Sequence, residues 1–417
     1  MDYDILMLGY AKPFEGWDRY YSNAIAYLVS FLVDNNIDVD WVENIDLNKD
    51  ALITKLMNNN YKLIGLSTSF MFSFEEIRDV IKFIRKYSDT KIIVGGTHIK
   101  YIWDDKKFDM LPLVGANYYI NSTKGETTLL NVIQYERGDI DSLDSIMNLC
   151  YMHNGEYKYT FSSIDPAKFE EHIIHWNLFT NELCENVSVR SAISCPFSCA
   201  FCAHKADGGA WELAPIENII KELDELDKIP QVKLVSFSDN TFNVPPKRFE
   251  QLLDIMIEKH YHFKWESYIR CQYITKNLAR KMKLAGCVKA SLGLESGSNT
   301  MLTYMNKQTT TQELRDGIKN LQENGIYCFG TFLIGFPGET KETVMETIEF
   351  VKELNLESYV QPWLNVGNAP INKDKRFKIV GGVQNWQHET MNFEEANRWS
   401  QYVMEQTQAF ARGKWTN

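Results

Sequence analysis

Three cysteines fall within one octapeptide, Cys195-Pro196-Phe197-Ser198-Cys199-Ala200-Phe201-Cys202, with three and then two residues between them. Thiolates at this spacing can each take one iron of an iron–sulfur cube and leave the fourth iron open. A structural zinc site usually shows paired C-x-x-C units with a second pair or histidines nearby. The three-plus-open pattern therefore argues for a cluster that binds something at its vacant iron. Cys150, Cys184, Cys271, Cys287 and Cys328 lie in apolar contexts and read as buried small hydrophobes. Glu170, His172 and His175 could be taken for a metal site, since histidines three apart share a helical face. The plainer account is a surface helix end leading into the apolar run Trp176-Asn177-Leu178-Phe179.

Elements that would position the cysteines follow from periodicity. A strand-like run, Val187-Ser188-Val189-Arg190-Ser191, precedes them, and further strand candidates cover 232–238, 263–270, 288–294, 326–334 and 358–366, with helices between. Upstream, five short apolar runs alternate with helical patterns such as 74–87. They are Ile5-Leu6-Met7-Leu8, Val39-Asp40-Trp41-Val42, Leu63-Ile64-Gly65-Leu66, Ile92-Ile93-Val94 and Tyr118-Tyr119-Ile120. This alternation predicts a doubly wound parallel sheet with helices on both faces, and ligands of such sheets bind outside the carboxyl ends of the strands. The loops there read Gly9-Tyr10-Ala11-Lys12-Pro13, Ser67-Thr68-Ser69-Phe70 and Gly95-Gly96-Thr97-His98. Small residues at these points let backbone amides approach a bulky ligand, although Gly95-Gly96 can equally serve a turn with positive φ, and a lone histidine such as His98 is usually structural. No G-x-G-x-x-G follows the first strand and no G-x-x-x-x-G-K-[ST] occurs, so dinucleotide and P-loop readings lose their motif. A hairpin is expected across 150–159, turning at Asn154-Gly155, inside an interdomain bridge.

The chain has 417 residues, enough for two or three domains, and 44% hydrophobic with 13% aromatic residues supplies packed cores. A net charge of −11 makes a field that repels nucleic acid. The start, Met1-Asp2-Tyr3-Asp4, has no secretory pattern, and no apolar run approaches the roughly 18 residues that span a bilayer. A cytoplasmic protein with neither a nucleic-acid nor a membrane partner is expected, and the sparse cysteines agree with a reducing compartment.

The C-x-x-x-C-x-F-C run after the first strand of an α/β unit resembles the signature of radical S-adenosylmethionine (SAM) enzymes, and the six strand candidates resemble that family's partial (β/α)6 barrel. The resemblance implies that Cys195, Cys199 and Cys202 hold a 4Fe-4S cluster whose open iron takes SAM, and that an external donor such as flavodoxin or ferredoxin supplies the electron that cleaves it. It further implies that Phe201 helps form the adenine pocket and that later strand ends hold the rest of SAM. Those positions are Ser238 and Asp239 after the second strand, Arg270 at the third, Glu295 and Ser296 after the fourth, and Gly335 in Gly335-Phe336-Pro337-Gly338-Glu339-Thr340 after the fifth. A carboxylate such as Glu295 can accept from ribose hydroxyls, and Arg270 can pair with the SAM carboxylate. Each also has an ordinary structural role open to it, as helix cap, turn or ion pair.

Joined to a sheet domain, such a barrel resembles the cobalamin-binding class of radical SAM enzymes over roughly residues 1–365. By that resemblance the cobalamin is lined by Tyr10, by Ser67, Thr68 and Ser69, by Gly95, Gly96, Thr97 and His98, and by Gly125 and Glu126 of Lys124-Gly125-Glu126-Thr127. None of the eight histidines has Asp two residues before it, so the D-x-H-x-x-G ligand motif is missing. The resemblance then implies base-off cobalamin with no histidine ligand, and a loop at 10–17 that could lie beneath the cobalt. The expected organisation is a Rossmann-like cobalamin-binding domain over 1–140, a linker over 141–183, the radical SAM barrel over 184–365 and a short C-terminal region over 366–417 with a helix at 393–411. Trp363, Trp386, Trp399 and Trp415 in and around that tail could stack on a planar substrate, though helix packing is the commoner role. The implied activity is methyl transfer from methylcobalamin to an unactivated carbon of a small-molecule or peptide substrate through a 5′-deoxyadenosyl radical. Three alternatives stay open: cyclisation or rearrangement without methyl transfer, peptide modification such as epimerisation with a non-cobalamin N-terminal domain and Cys328 as hydrogen donor, and a non-enzymatic cluster protein.

Overall fold

A computed structural model describes residues 1–10, 20–21, 23–71, 73–104, 108–122, 124–207 and 209–407. Residues 11–17 of the expected 10–17 loop, residues 408–411 of the expected C-terminal helix and Trp415 lie outside them, as does the Thr97 side chain. The chain divides into two compact units, Met1–Glu182 and Leu183–Asn417.

In the first unit, β1 (Asp2–Leu8), β2 (Val39–Val42), β3 (Asn60–Ser67), β4 (Ile92–Gly95) and β5 (Tyr118–Ile120) pair in parallel in the order β2-β1-β3-β4-β5. Except in the edge strand β2, which alternates in burial, the apolar runs are continuous because strands of a covered parallel sheet are buried on both faces, as the unbroken burial of Asp4–Leu8 illustrates. Helices Asn23–Asp34 and Glu126–Arg137 pack on each other and on β1. Helix Phe74–Ile84 starts where Ser73 accepts from the Glu76 amide, and it buries Ile77, Ile81 and Ile84, spaced four and three apart. The hairpin forms as expected, β6 (Leu149–His153) and β7 (Glu156–Tyr159), with Asn154 and Gly155 both at positive φ. It is not part of a loose bridge, however. β6 runs antiparallel to β5, so the hairpin extends the sheet, with Cys150 and Leu149 buried in it. Residues 160–182 likewise belong to this unit: Trp176 and Phe179 are fully buried against Tyr21 and Trp41.

In the second unit six strands, β8 (Asn186–Val189), β9 (Leu234–Phe237), β10 (Lys264–Ile269), β11 (Cys287–Glu295), β12 (Tyr327–Ile334) and β13 (Glu357–Pro362), lie side by side in chain order, all parallel. Each successive pair is joined by a crossover containing a helix, so every carboxyl end falls on one edge. Helices Thr311–Glu323 and Lys341–Leu354 begin at threonine caps, Thr310 and Thr340, whose side chains accept from the third residue on. β13 ends at Pro362, earlier than the sequence pattern suggests. The Trp363 amide still donates to the Ile334 carbonyl, after which the chain turns toward Val383. The tail is not appended loosely. Helix Phe393–Thr407 packs on β12 and β13, and Trp363 and Trp386 are buried with Phe336, Met391 and Ala396. This packing is the ordinary role of those tryptophans.

Candidate active site

The cysteine segment leaves β8 through Ala192–Ile193, which pairs antiparallel with Glu212–Leu213 and so pinches off an excursion from the barrel edge. Ser194 adopts φ +63 at its base and donates to the Gly209 carbonyl, closing the neck. The excursion is fixed from outside. The Ala200 amide donates to Met305 O at 2.8 Å, Asn306 Nδ2 donates to Ser198 O at 2.8 Å, and the Ile371 amide of the tail donates to Ala200 O at 2.9 Å. Cys195 Sγ lies 3.7 Å from Thr241 Oγ1 beyond β9, and Cys199 Sγ accepts from Arg270 Nη2 at 3.1 Å. Burial pushes the Cys202 thiol upward, and the neighbouring Cys199, Cys195 and Glu295 add to this. The three thiols and Glu295 therefore share one electrostatic neighbourhood.

The other expected SAM residues stand on the same edge. Phe201 has the Lys307 ammonium 5.7 Å from its ring centre. Glu295 ends β11 at φ +67, next to a register irregularity, and Lys307 Nζ donates to its Oε1 at 2.9 Å with both side chains about nine-tenths buried. Ser296 accepts from the Ser298 amide and meets Thr347 Oγ1 at 3.2 Å, so its hydroxyl serves the turn after β11. Ser238 bonds back through its amide to the Val189 carbonyl. Asp239 is fully used inside the fold: it accepts from the Ser191 amide (2.9 Å), Ser191 Oγ (2.7 Å) and the Ala192 amide (2.6 Å). Burial pushes its carboxyl up to about 6 against the pull of those donors. Its effect is to hold the strand end from which the cysteine segment departs. Arg270 points at sulfur rather than at open space, donating also to Lys307 O at 2.9 Å.

Several contributors escaped sequence reasoning. Asn243 accepts from the Arg270 amide and donates to its carbonyl, imitating a strand partner. Arg248 donates to the Ala214 carbonyl at 2.6 Å. Lys307 bridges Arg270 and Glu295 from the turn after helix Asn299–Tyr304. No local pattern distinguishes these from surface residues, since most of their partners lie 27 or more positions away, and Glu295, 12 positions from Lys307, meets it only through the turn after the intervening helix.

On the carboxyl edge of the first unit's sheet, Tyr10 is buried after β1, and burial, aided by Asp46, holds its phenol protonated well above the ordinary value. The loops after β3 and β4 are stitched together: Gly95 O accepts from the Thr68 amide (2.9 Å) and Thr68 Oγ1 (3.0 Å). Gly96 has φ +113, and a Cβ there would come within 2.7 Å of Thr68 Oγ1 and 3.2 Å of the Thr68 amide, so the turn reading holds and close packing on the Thr68 loop adds a second reason for glycine. Ser67 and Ser69 face each other at 3.1 Å as exposed hydroxyls, Gly125 precedes the first turn of helix Glu126–Arg137 with Glu126 at its start, and His98 bonds to the Met71 carbonyl. His172 packs edge-on to Phe31 while His175 pairs with Asp34 at 2.7 Å, so the two do not converge as metal ligands.

Residues 191–351 match the model of the Radical SAM superfamily. The second unit carries a radical SAM domain. The chain is 25% identical, over 80% of its length and 73% of the relative's, to a protein of Pyrococcus horikoshii described as an uncharacterized methyltransferase. It is 27% identical to the anaerobic magnesium-protoporphyrin IX monomethyl ester cyclase of Cereibacter sphaeroides over 65% of this chain, and spans about half (46%) of that relative's length. Among solved structures it is similar to the radical SAM methyltransferase TsrM of Kitasatospora setae, with tryptophan substrate and a SAM analogue bound, at TM-score 0.70 and 16% identity, covering 88% of this chain and 75% of that one. It is also similar to the cobalamin-dependent radical enzyme OxsB with aqua-cobalamin, at TM-score 0.68 and 18% identity over 86% and 53% of the two chains. At these identities the likeness establishes a shared fold.

Three cysteines on one excursion match in number the three-thiolate donor set of a cube with one open iron. Among the described residues no group of three His, Cys, Asp or Glu side chains is placed to hold a single metal ion. No helix among the described residues is long and apolar enough to cross a membrane. Cys328 lies near the amino end of β12, about 23 Å along the strand from Gly335 at roughly 3.3 Å per residue. Burial pushes its thiol up to about 12 and so keeps it protonated; it is the distance along the strand that places it poorly as a hydrogen donor to chemistry at the carboxyl edge.

Gly335 of the radical SAM domain has φ +87, and a Cβ would meet Ala396 Cβ at 2.4 Å. Its amide donates to Glu339, whose carboxyl is fully buried and pushed up to about 8 by desolvation. A carboxyl raised from 4.5 to about 8 keeps its proton in the fold while the unfolded chain has lost it, so its contribution is complete below 4.5 and declines as pH rises to about 8. Glu339→Gln keeps the amide acceptor without the charge. Its urea midpoint is expected to vary less between about pH 5 and 8 than that of the parent; identical pH slopes would refute a buried, neutral Glu339.

Proposed function

We propose that this protein is a cobalamin-dependent radical SAM methyltransferase that places a methyl group on an unactivated carbon of a small-molecule or peptide substrate. The observation that carries the reading is the pairing of a β2-β1-β3-β4-β5 sheet with a radical SAM barrel in one chain, a fold shared over 88% of its length with TsrM. The N-terminal edge fits a corrinoid in its chemistry. Ser67 and Ser69 offer exposed hydroxyls to peripheral amides, Gly95, Gly96 and Gly125 let the adjoining loops pack closely on Ile120 and Thr68, and the sheet's switch point between β1 and β3 is where flavodoxin-like sheets take their ligands. With no D-x-H-x-x-G in the chain, binding would be base-off, without a histidine ligand.

When bound, the cluster supplies an electron to SAM and the corrinoid supplies a transferable methyl group. Cys195, Cys199 and Cys202 would hold three irons, with the tail and the segment at 305–306 keeping their loop in place. Glu295, paired with Lys307, would accept from the SAM ribose hydroxyls, and Phe201 would flank the adenine. Glu339, neutral and buried, holds the Gly335 amide and with it the turn after β12. A low-potential external donor such as flavodoxin or ferredoxin would deliver the electron.

Protein reconstituted without oxygen, incubated with hydroxocobalamin and desalted is expected to keep about one corrinoid per chain in its visible spectrum. A corrinoid-free spectrum sinks the cobalamin part of the reading. Products made with methyl-deuterated SAM are expected to carry the label in the substrate. A second reading, cyclisation or rearrangement, draws on the identity to the magnesium-protoporphyrin ester cyclase, and it predicts unlabelled product.

A further inference from the structure

Arg270 is held more tightly than a ligand-gripping arginine at a pocket mouth needs to be. Its backbone is clamped on both sides by Asn243, at 2.9 and 2.8 Å. Its guanidinium lies 3.5 Å from the centre of the Phe197 ring, Nη1 is committed to the Lys307 carbonyl, and Nη2 reaches Cys199 Sγ at 3.1 Å. The residue is 7% exposed, and the nearby carboxylate, Glu295, is taken by Lys307. Among the described residues no carboxylate pairs with Arg270, so a permanent cation stands buried with a cysteine sulfur as its sole anionic partner in waiting. Burial of that kind is costly unless a negative group compensates it. Three thiolates on an iron–sulfur cube give a net negative charge that grows by one unit on one-electron reduction.

We propose that Arg270 is a positioning residue of the cluster, donating a charge-assisted hydrogen bond to the Cys199 sulfur and raising the cluster's reduction potential. The inference rests on the reading that these three thiolates hold the cube. The step is a single electron passing from a low-potential donor (dithionite in the assay) to the oxidised cube, with no bond formed or broken. The added negative charge is spread over the sulfurs, where a fixed cation and an N–H donor favour the reduced form. Phe197, between the first two cysteines, keeps the guanidinium plane in place through its ring face.

The test is a redox titration of reconstituted parent, Arg270→Met and Arg270→Lys, followed by the electron paramagnetic resonance signal of the reduced cluster, with no substrate present. Iron and sulfide are measured first: a parent without a cluster would sink the functional reading itself, separately from this inference. Given a cluster, Arg270→Met is expected to lower the reduced-to-oxidised ratio at a fixed solution potential at least tenfold, about 59 mV for one electron. Arg270→Lys, which keeps charge but not the planar fork, is expected to fall between. Unchanged potentials in the variants that load the cluster would overturn the proposal, including the case where only SAM affinity drops, which would mark Arg270 as a SAM-carboxylate ligand instead. If Arg270→Met fails to assemble the cluster, the Arg270→Lys titration decides alone.

Discussion

Cys199→Ala is expected to leave a folded protein that retains background iron and sulfide after oxygen-free reconstitution and releases no 5′-deoxyadenosine from SAM. Cys199 is the middle cysteine, 7% exposed, and the one whose sulfur faces the Arg270 guanidinium. Its loss removes one iron ligand, which acts against assembly of the cube, and leaves the buried Arg270 guanidinium without its sulfur acceptor, which costs stability. The stability cost is smaller. An unsatisfied donor of this kind costs about 1–3 kcal/mol, and the excursion stays tied by the Ala200 and Ser198 backbone bonds, which the substitution does not touch. Circular dichroism and a thermal melt would verify the fold beside the iron assay. Cluster content and SAM cleavage equal to the parent would contradict the assignment of all three cysteines, because the remaining two cannot hold three irons.

Lys307→Met is expected to be among the most destabilising single changes in the second unit, about 3–5 kcal/mol. The pair Lys307–Glu295 is 2.9 Å apart with side chains 7% and 10% exposed, and Glu295 sits at φ +67 where the backbone is already strained for a side chain of its kind. Taking away the ammonium leaves a carboxylate facing apolar surroundings at the end of β11. The loss would be read from the denaturant midpoint of the second unit's transition at unchanged slope. A Lys307→Met, Glu295→Gln double variant is expected to recover most of it, since the stranded charge is then gone. A single-variant cost below about 1 kcal/mol would mean that the pair behaves as a solvated surface bridge.

Strand positions were legible because parallel strands covered on both faces need unbroken apolar runs, and those at 5–8, 63–66, 92–94 and 118–120 pair as expected, as does the edge strand at 39–42, which Asp40 interrupts and which alternates in burial instead. The cysteine spacing was legible for a related reason: ligands of one cluster carried on one short loop must be near neighbours in the chain. Asp239 illustrates the opposite case. Its position after the second barrel strand says that it stands on the ligand edge, yet only the folded chain places Ser191 and Ala192 against both its oxygens. The 150–159 hairpin was visible from its Asn-Gly turn, but its membership of the first sheet depended on pairing with β5, a contact that leaves no local trace.

By itself, then, the amino-acid order determined what depends on neighbours along the chain: strand and helix periods, caps, the turn at Asn154-Gly155 and the three-sulfur octapeptide. What only the tertiary structure decided is where long side chains aim. Arg270 reaches Cys199 across 71 positions, Lys307 closes on Glu295 from the far side of a helix, and Trp386 packs beneath Gly335 from the tail. The reason is physical: a side chain's partner is whatever the packing of distant elements brings within about 3 Å, and many folds would satisfy the same local pattern while bringing different groups there.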